Sequence, residues 1–159
     1  MVDVNRTRSD SQKNLVGFVV GDVAYAVDIA RVREIVNPLD ITPLPHTPAE
    51  VAGVADHRGE VVPILDLRVR FGLPPREADR STKWILLASR DHLVGLVVDA
   101  VTEVFGASGE DLRQTPGVGG DEDARAIASV VSHAGKLTFV LETARFVAVV
   151  EELAARGAL

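Results

Sequence analysis

Histidine has the widest chemical range of the residue types in this chain, as a general base or a metal ligand. The four histidines stand far apart, at His46, His57, His92 and His133. None lies in an H-E-x-x-H motif or has a carboxylate at metal-site spacing, so no metal is predicted. A Ser-His-Asp site could be assembled only in space, from Ser129, His133 and Asp99, and no G-x-S-x-G elbow supports it. The sequence therefore favours a protein that is not an enzyme.

The sequence also offers no cofactor site. It lacks the G-x-x-x-x-G-K-[ST] loop that cradles phosphates, and Gly117–Gly120 has neither the preceding strand nor the following helix of a dinucleotide site. The chain has no cysteine, which excludes disulfides, thiol nucleophiles and thiolate metal sites together. We predict that the protein works without a cofactor.

Composition and charge narrow the class of partner. The 159 residues are 47% hydrophobic and 25% charged, as in ordinary globular proteins, and the formal net charge is −6. An acidic chain is poorly suited to the nucleic-acid backbone or to an anionic membrane surface. Met1–Asn14 is polar, without the apolar core of a signal peptide, and no apolar run approaches the length of a membrane span. We expect a cytoplasmic protein without membrane insertion.

One stretch organises the first half of the chain. Two apolar runs, Val51–Ala55 and Val61–Leu65, flank a polar centre that contains Gly59, which predicts a β-hairpin with Arg58 at its tip. Pro63 has no N–H to give to a ladder, so the second strand is predicted to be an edge strand or a bulged one.

A second hairpin and a short helix are predicted before this stretch. Met1–Asn14 is expected to be a disordered arm, and Leu15–Val20 and Val23–Val27 are predicted strands. Asp28 has the position and residue type of a helix N-cap. Apolar residues then follow at roughly helical spacing, which places them on one face: Ile29, Val32, Ile35 and Val36.

Glu34 lies next to this apolar face, and a Glu34–Arg58 pair across the first half is sterically feasible. An exposed pair of this kind contributes only about 0–1 kcal/mol to stability. The apolar face itself has two interpretations. It packs in the core, or it leaves a groove that fits an amphipathic helix of a partner.

The second half repeats the layout of the first. Asp99 takes the place of Asp28 before another short apolar stretch, and Gly106–Asp123 is a predicted loop. The last residues, Ala148–Leu159, are a predicted C-terminal helix. The predicted strands of this half are Lys83–Ala88, Leu93–Val98, Ala126–Val131 and Leu137–Leu141.

An internal duplication accounts for this repetition, because 133 minus 57 for the histidines and 135 minus 59 for the glycines both give 76. Two-stranded hairpins are not stable alone, and many short strands at regular spacing favour a small barrel or sandwich. We therefore predict a mainly β fold with short helices and a C-terminal helix. Its two small β units, about 15–82 and 83–150 with interleaving allowed, share one hydrophobic core, and 151–159 form a helical tail.

Three motifs resemble the CheW family of chemotaxis coupling proteins. Gly53–Arg68 is similar to the family's G-V-x-N-L-R-G-x-x-x-P-V-x-D-L-R signature. Tyr25–Ile35 resembles its Y-x-I-x-x-x-x-V-x-E-I, and Gly95–Val104 its G-x-x-V-D-x-V-x-x-V. The motifs occur in the family's order within Leu15–Val150.

This resemblance implies two SH3-like β-barrel subdomains in a non-catalytic adaptor. Such an adaptor joins the regulatory domain of a CheA-type histidine kinase to the cytoplasmic helical tip of a chemoreceptor. Glu34 and Arg58 match the family's polar pair, and Gly53 matches the glycine before its hairpin, whose turn contains Gly59. The tip is implied to lie in a groove between subdomains, at Val16, Ile29, Val32, Ile35 and Val101.

Two departures from the family pattern bear on the partner. Asp56-His57 replaces the usual N-L before Arg58, and Glu142 stands where the second half commonly has Asp. His57 brings a side chain that titrates near neutral pH to a position that is apolar in the family. An adaptor of a dedicated motility or developmental pathway is therefore one alternative. The other, a small-ligand-binding or hydrolytic β-barrel, predicts a deep polar pocket instead of a shallow apolar groove.

Overall fold

Ten β-strands and three helical segments form the regular structure of a computed structural model, which describes residues 12–108, 111–113 and 124–159. The helical segments are a 3-10 helix (Ile29–Arg31), α1 (Leu67–Arg70) and α2 (Thr143–Ala155). The predicted mainly β class is confirmed. The strands are β1 (Gln12–Val20), β2 (Val23–Asp28), β3 (Val32–Val36), β4 (Val51–His57), β5 (Glu60–Asp66), β6 (Lys83–Ala88), β7 (Leu93–Val98), β8 (Ala100–Ser108), β9 (Ile127–His133) and β10 (Lys136–Leu141).

The strands form two sheets with the same arrangement. Sheet A has the order β8-β1-β2-β10-β9, and sheet B has the order β3-β6-β7-β5-β4. Neighbouring strands are antiparallel except β2 with β10 and β5 with β7. Sheet B is continuous in the chain, whereas sheet A takes strands from both ends of it. The two units are therefore interleaved, and a boundary near residue 82 does not separate them.

The predicted helix from Ile29 to Val36 is wrong beyond its first turn. Asp28 does cap a helical segment, since its Oδ1 accepts the N–H of Ala30 at 2.9 Å, but this segment is a single 3-10 turn. The chain then continues as β3 and pairs antiparallel with β6. Val32, Ile35 and Val36 are β-branched, which favours a strand over a helix.

β1 is longer than predicted, and it pairs with β8, which forms where the sequence predicted only a short apolar stretch. β1 starts at Gln12, so residues 12–14 belong to a strand and not to the predicted arm, while residues 1–11 lie outside the described part. β8 includes the first residues of the predicted loop Gly106–Asp123. Farther along that loop, Arg113 bridges to Val130 of β9, and residues 109–110 and 114–123 are not described.

Pro63 lies in an interior strand, because β5 runs between β7 and β4, so the edge alternative is wrong. The β4–β5 ladder does have a bulge, but the extra residue is in β4, between Val51 and Gly53. Pro63 faces Val54, whose N–H and C=O bond Thr42 instead, at 2.9 and 2.8 Å. The parallel ladder with β7 starts only at Ile64. The sheet therefore requires no ladder hydrogen bond from the nitrogen of Pro63.

The largest apolar cluster lies between the two sheets and is the predicted shared core. It contains Phe18 from sheet A and Ile85 from sheet B, both fully buried. α2 starts at Thr143, earlier than the predicted Ala148, and buries Phe146 in this core. Two smaller apolar clusters complete the core, one formed by residues of sheet B and one mainly by residues of sheet A. In the described ranges, no helix is long and apolar enough to cross a membrane.

Candidate functional site

The tip of the β4–β5 hairpin carries the candidate site. His57 and Glu60 face each other across it, and Arg58 and Gly59 form a two-residue turn with φ of 54° and 83°. Such left-handed angles are typical of a type I′ turn, which matches the twist of the flanking strands. Asp56 fixes the turn by accepting the N–H of Gly59 on Oδ1 at 2.8 Å. This backbone conformation is less favourable for a residue with a Cβ than for glycine.

Glu34 of β3 reaches this hairpin from the far side of sheet B. Its Oε1 accepts a hydrogen bond from Nη2 of Arg58 at 2.9 Å, and its Oε2 lies 2.8 Å from Nε2 of His57. The structure thus brings the predicted pair together and adds His57, a third member that the sequence reasoning missed. β3 and β4 are the outermost strands of the sheet, so these contacts close it into a barrel.

The three side chains differ greatly in burial. Arg58 is 76% exposed, Glu34 29% and His57 13%. Water screens an ion pair with so exposed a partner, and such a pair contributes about 0–1 kcal/mol. The pair therefore adds little to folding stability, and most of the guanidinium is open to another molecule.

A hollow of about 420 Å³ surrounds these groups. We call it the mouth of sheet B and define it by its lining residues, Arg33, Glu34, His57, Arg58, Glu60 and Leu93. Its two arginines and two glutamates balance in charge. Val61, the next residue of β5, is 63% exposed and pairs with Asp56 on the opposite face of the hairpin. A hollow lined by fixed charges of both signs is suited to contact with a protein.

Backbone hydrogen bonds lower the pKa of two carboxyls, those of Asp79 and Asp111. The backbone N–H of Ser81 donates to Asp79 and lowers the pKa of that carboxyl. The N–H of Ser108 does the same for the pKa of Asp111. Neither carboxyl lines the mouth of sheet B.

Gly53 serves the edge of β4 and not the hairpin turn, where the prediction grouped it with Gly59. Its φ is 145°, and a Cβ at this position would collide with the carbonyl oxygen of Thr42. Thr42 pairs with the outer edge of β4 by exchanging two hydrogen bonds with Val54. Only glycine permits this close approach.

The five predicted groove residues fall in three environments. Ile29 and Ile35 are 40% and 37% exposed, on the 3-10 helix and on β3. Val32 and Val101 are half-buried and pack against the central core. Val16 is 1% exposed and belongs to the core itself. Of the five, the two isoleucines are therefore the exposed ones, and Ile35 lies on the face of β3 opposite to Glu34.

The β9–β10 hairpin repeats the closing contact in sheet A. We call its tip the mouth of sheet A and define it by Glu103, Phe105, His133 and Ala134. Nε2 of His133 lies 2.6 Å from Oε1 of Glu103, and Phe105 stacks on the imidazole with ring centroids 3.8 Å apart. Glu103 and His133 come from β8 and β9, the outermost strands of sheet A. Ala134, with φ of 51°, stands where the other hairpin has Arg58.

The candidate catalytic trio is not assembled. His133 is engaged at the mouth of sheet A, and Asp99 accepts from the N–H of Gly21 at 2.8 Å and from Nη1 of Arg68 at 2.7 Å. No contact among the described residues joins either of them to Ser129. In the same ranges, no three His, Asp or Glu side chains gather into a possible metal site.

A larger cavity, of about 780 Å³, lies between the 3-10 helix, the β6–β7 turn and the start of α2. Two serines, Ser89 and Ser129, are among the described residues that line it, and no histidine is. Glu142, one of the departures from the family pattern, lies here and makes no capping hydrogen bond to α2. The charged side chains that line the cavity are Lys13, Asp28, Arg31, Arg90, Glu142 and Glu151.

Comparisons with known proteins agree on one family. The model of the CheW-like domain matches residues 14–151. The chemotaxis protein CheW of Rhizobium meliloti (strain 1021) is 32% identical over 142 residues, which cover 89% of this chain and 92% of the relative. Protein FrzA of Myxococcus xanthus is 33% identical over 118 residues, or 74% of this chain and 73% of FrzA. The crystal structure of the scaffolding protein TtCheW from Thermoanaerobacter tengcongensis is 28% identical, with a TM-score of 0.73 over 82% of this chain and 84% of that one.

Proposed function

Since this chain belongs to the CheW-like domain family, a family of chemotaxis scaffold proteins, we propose that it couples a CheA-type histidine kinase to a chemoreceptor. It binds the regulatory domain of the kinase and the cytoplasmic helical tip of the receptor. The observation that carries the proposal is the Glu34–Arg58 contact of 2.9 Å at the mouth of sheet B. It places the two residues of the family's polar pair together on the surface, with the arginine exposed.

Exposed apolar side chains near the start of sheet B support a helical partner. Ile29 and Ile35 are exposed on the 3-10 helix and on β3, and Val32 and Val101 are half-buried. An amphipathic helix buries its apolar stripe in such a groove and places polar side chains at the charged rim. Val16 supports this surface from the core without contacting the partner.

We propose that the chain acts in the cytoplasm and without catalysis. Contact between proteins requires shape and charge complementarity, and the mouth of sheet B supplies fixed polar groups of both signs. The work of the molecule in this proposal is to hold two partners at a set distance. In this proposal the kinase carries out the phosphorylation, and this chain positions the kinase relative to the receptor.

A second candidate is the same coupling role in a dedicated motility or developmental pathway. The similarity to Protein FrzA shows that relatives of this chain include members not named as chemotaxis proteins. His57, which takes part in the polar contact at 2.8 Å, also departs from the family signature. The two candidates differ in the receptor that is bound, not in the mode of binding.

Co-purification tests the proposal. The full chain is mixed with the regulatory domain of a CheA-type kinase and a receptor-tip fragment from the same cell, and complexes are resolved by gel filtration. We expect the three proteins to elute together. A correctly folded chain that binds neither partner contradicts the proposal.

Replacing Arg58 by Ala sharpens this test. We expect weaker binding of the receptor fragment by about 10-fold, because one exposed charge-assisted contact is lost. The melting temperature should change little, since the ion pair is screened. Arg80→Ala, which removes an exposed arginine outside the mouth, is the matched control and should leave binding intact. A large loss of stability in Arg58→Ala would make Arg58 a structural residue instead.

A further inference from the structure

We propose that His57 is the positioning residue of the Glu34–Arg58 pair and that, through it, docking at the mouth of sheet B strengthens as pH falls through neutrality. The partner surface that docks there is acidic. This inference rests on the proposed function of the mouth, and it concerns a residue at which this chain departs from the family signature.

His57 is placed to orient Glu34. Its side chain is 13% exposed, and its Nε2 lies 2.8 Å from Oε2 of Glu34. A carboxylate oxygen is an acceptor, so Nε2 carries the hydrogen in this contact. With Oε2 held by the less exposed histidine, the other oxygen of Glu34 is directed at Arg58. Without His57, Oε2 has no other partner among the described residues, and the carboxylate is free to turn.

The histidine contact forms independently of the arginine. At the mouth of sheet A the same contact recurs between His133 and Glu103, at 2.6 Å, although Ala134 stands in the place of the arginine. The two histidines occupy equivalent positions of the duplicated hairpins. The His–Glu contact thus forms in each sheet where the outermost strands meet. In sheet B, this contact holds the carboxylate of Glu34 against Arg58.

The most exposed group of this contact decides the chemistry of the partner. The side chain of Arg58 is 76% exposed, against 29% for Glu34 and 13% for His57, so the group best placed to meet a partner is the guanidinium. A guanidinium carries five N–H donors and no acceptor. The group that meets it is therefore an acceptor, and a carboxylate makes the stronger, charge-assisted contact.

The charges around His57 set the direction of the pH effect. β3 contributes Arg33 and Glu34, the turn contributes Arg58, and β5 contributes Glu60, while β7 contributes only the apolar Leu93. These four charges cancel. Asp56 lies next in β4 on the opposite face of the strand, with its Oδ1 engaged by Gly59.

An imidazole gains its proton between about pH 8 and pH 5. Protonation of His57 therefore makes the mouth net positive and strengthens the same contact to Glu34. An acidic partner binds more tightly in that state, and one linked proton limits the effect to at most about 10-fold per pH unit.

Affinity measured against pH tests the inference. The probe is the receptor-tip fragment, titrated into the full chain by calorimetry at pH 6, 7 and 8. We expect the wild type to bind about 3- to 10-fold more tightly at pH 6 than at pH 8. His57→Gln keeps an N–H donor without a titrating ring, so it should bind well and lose the pH dependence. His57→Leu, which restores the family residue, should bind about 5-fold more weakly at pH 6 and also show no pH dependence.

The control is His133→Gln, the equivalent change at the mouth of sheet A, which should retain the wild-type pH profile. Thermal melts establish that each variant is folded. If His57→Leu keeps both the affinity and the pH profile of the wild type, the inference is overturned while the proposed function stands. Tighter binding at pH 8 than at pH 6 overturns it as well. A folded wild type that binds the fragment at no pH overturns the proposed function and this inference with it.

Discussion

The mouths of the two sheets share a frame and differ in charge. In each, a glutamate from one outermost strand meets a histidine from the other, at 2.8 Å for Glu34 and His57 and at 2.6 Å for Glu103 and His133. Only sheet B adds an arginine. Because sheet A closes without one, the arginine is not required for closing a barrel of this kind. This difference is the strongest structural argument that Arg58 serves contact with another molecule.

The chain crosses between the sheets at two aspartates, Asp28 and Asp99. These two residues also occupy equivalent positions and differ in their hydrogen-bond partners. Asp99 accepts hydrogen bonds from the N–H of Gly21 and from Arg68, at 2.8 and 2.7 Å. Asp28, at the other crossing, only caps the 3-10 helix through Ala30. Asp99 thus connects segments that are distant in the sequence, whereas Asp28 caps the helix that follows it.

Among the substitutions that test the comparison of the two sheets, we expect Gly53→Ala to have the largest effect on stability. Both sheets have a segment paired to their outermost strand, Thr42 at Val54 and Arg113 at Val130. Only sheet B needs a glycine beside it, because φ of Gly53 is 145° and a Cβ would meet the backbone of Thr42. We expect Gly53→Ala to lower the free energy of unfolding by about 3 kcal/mol or more, measured by urea denaturation.

Ser129 stands at the position in sheet A equivalent to Gly53, and it already carries a Cβ. Ser129→Ala is therefore the matched control, and we expect a change within about 0.5–1 kcal/mol. Equal effects of the two substitutions would show that the edge pairing of sheet B tolerates a side chain, against the geometry described here.

A smaller effect is expected from the two crossings. Asp99→Ala removes the partner of Arg68, which is 17% exposed, and leaves the N–H of Gly21 without its acceptor. Loss of a mostly buried charge partner should lower the free energy of unfolding by about 2–3 kcal/mol. Asp28→Ala removes a cap and should lower it by about 1 kcal/mol. Urea denaturation of both variants gives the order, and a larger loss for Asp28→Ala would contradict this view of the crossings.

Local pattern was enough to predict many of the strands. The bounds predicted for Lys83–Ala88 and Leu93–Val98 are those of β6 and β7, because polar turn residues delimit apolar runs. The segment after Asp28 was predicted as a helix from its roughly helical apolar spacing, although its β-branched residues favour a strand. Pairing with β6 decides between them, and that pairing joins residues about a third of the chain apart, as in Val32 with Leu87.

The polar site could be predicted only in part. The motif pointed to Glu34 and Arg58, but the contact of Glu34 with His57 depends on the curl of five strands, which brings the outermost two together. The duplication did contain a signal, because His57 and His133 recur at equivalent positions. Val16 was correctly predicted to lie in a strand, but the sequence did not indicate that its side chain faces the core and not the groove.

The smallest effect, and the sharpest test of the comparison, is expected from Ala134→Arg. This substitution gives the mouth of sheet A the arginine that sheet B has. The backbone accepts it, since φ is 51° at Ala134 and 54° at Arg58. We expect the new guanidinium to bond the second oxygen of Glu103, which has no partner among the described residues.

A double-mutant cycle with Glu103→Gln measures this contact, with Ala134→Gln as a neutral variant of similar reach. We expect a coupling energy of at most about 1 kcal/mol, because the pair is exposed and screened, and little change in the melting temperature. Such a value would show that the frame accepts an arginine at either mouth and gains little stability from it. A coupling of several kcal/mol would instead mean that Arg58 stabilises sheet B, and the argument that it is reserved for a partner would fail.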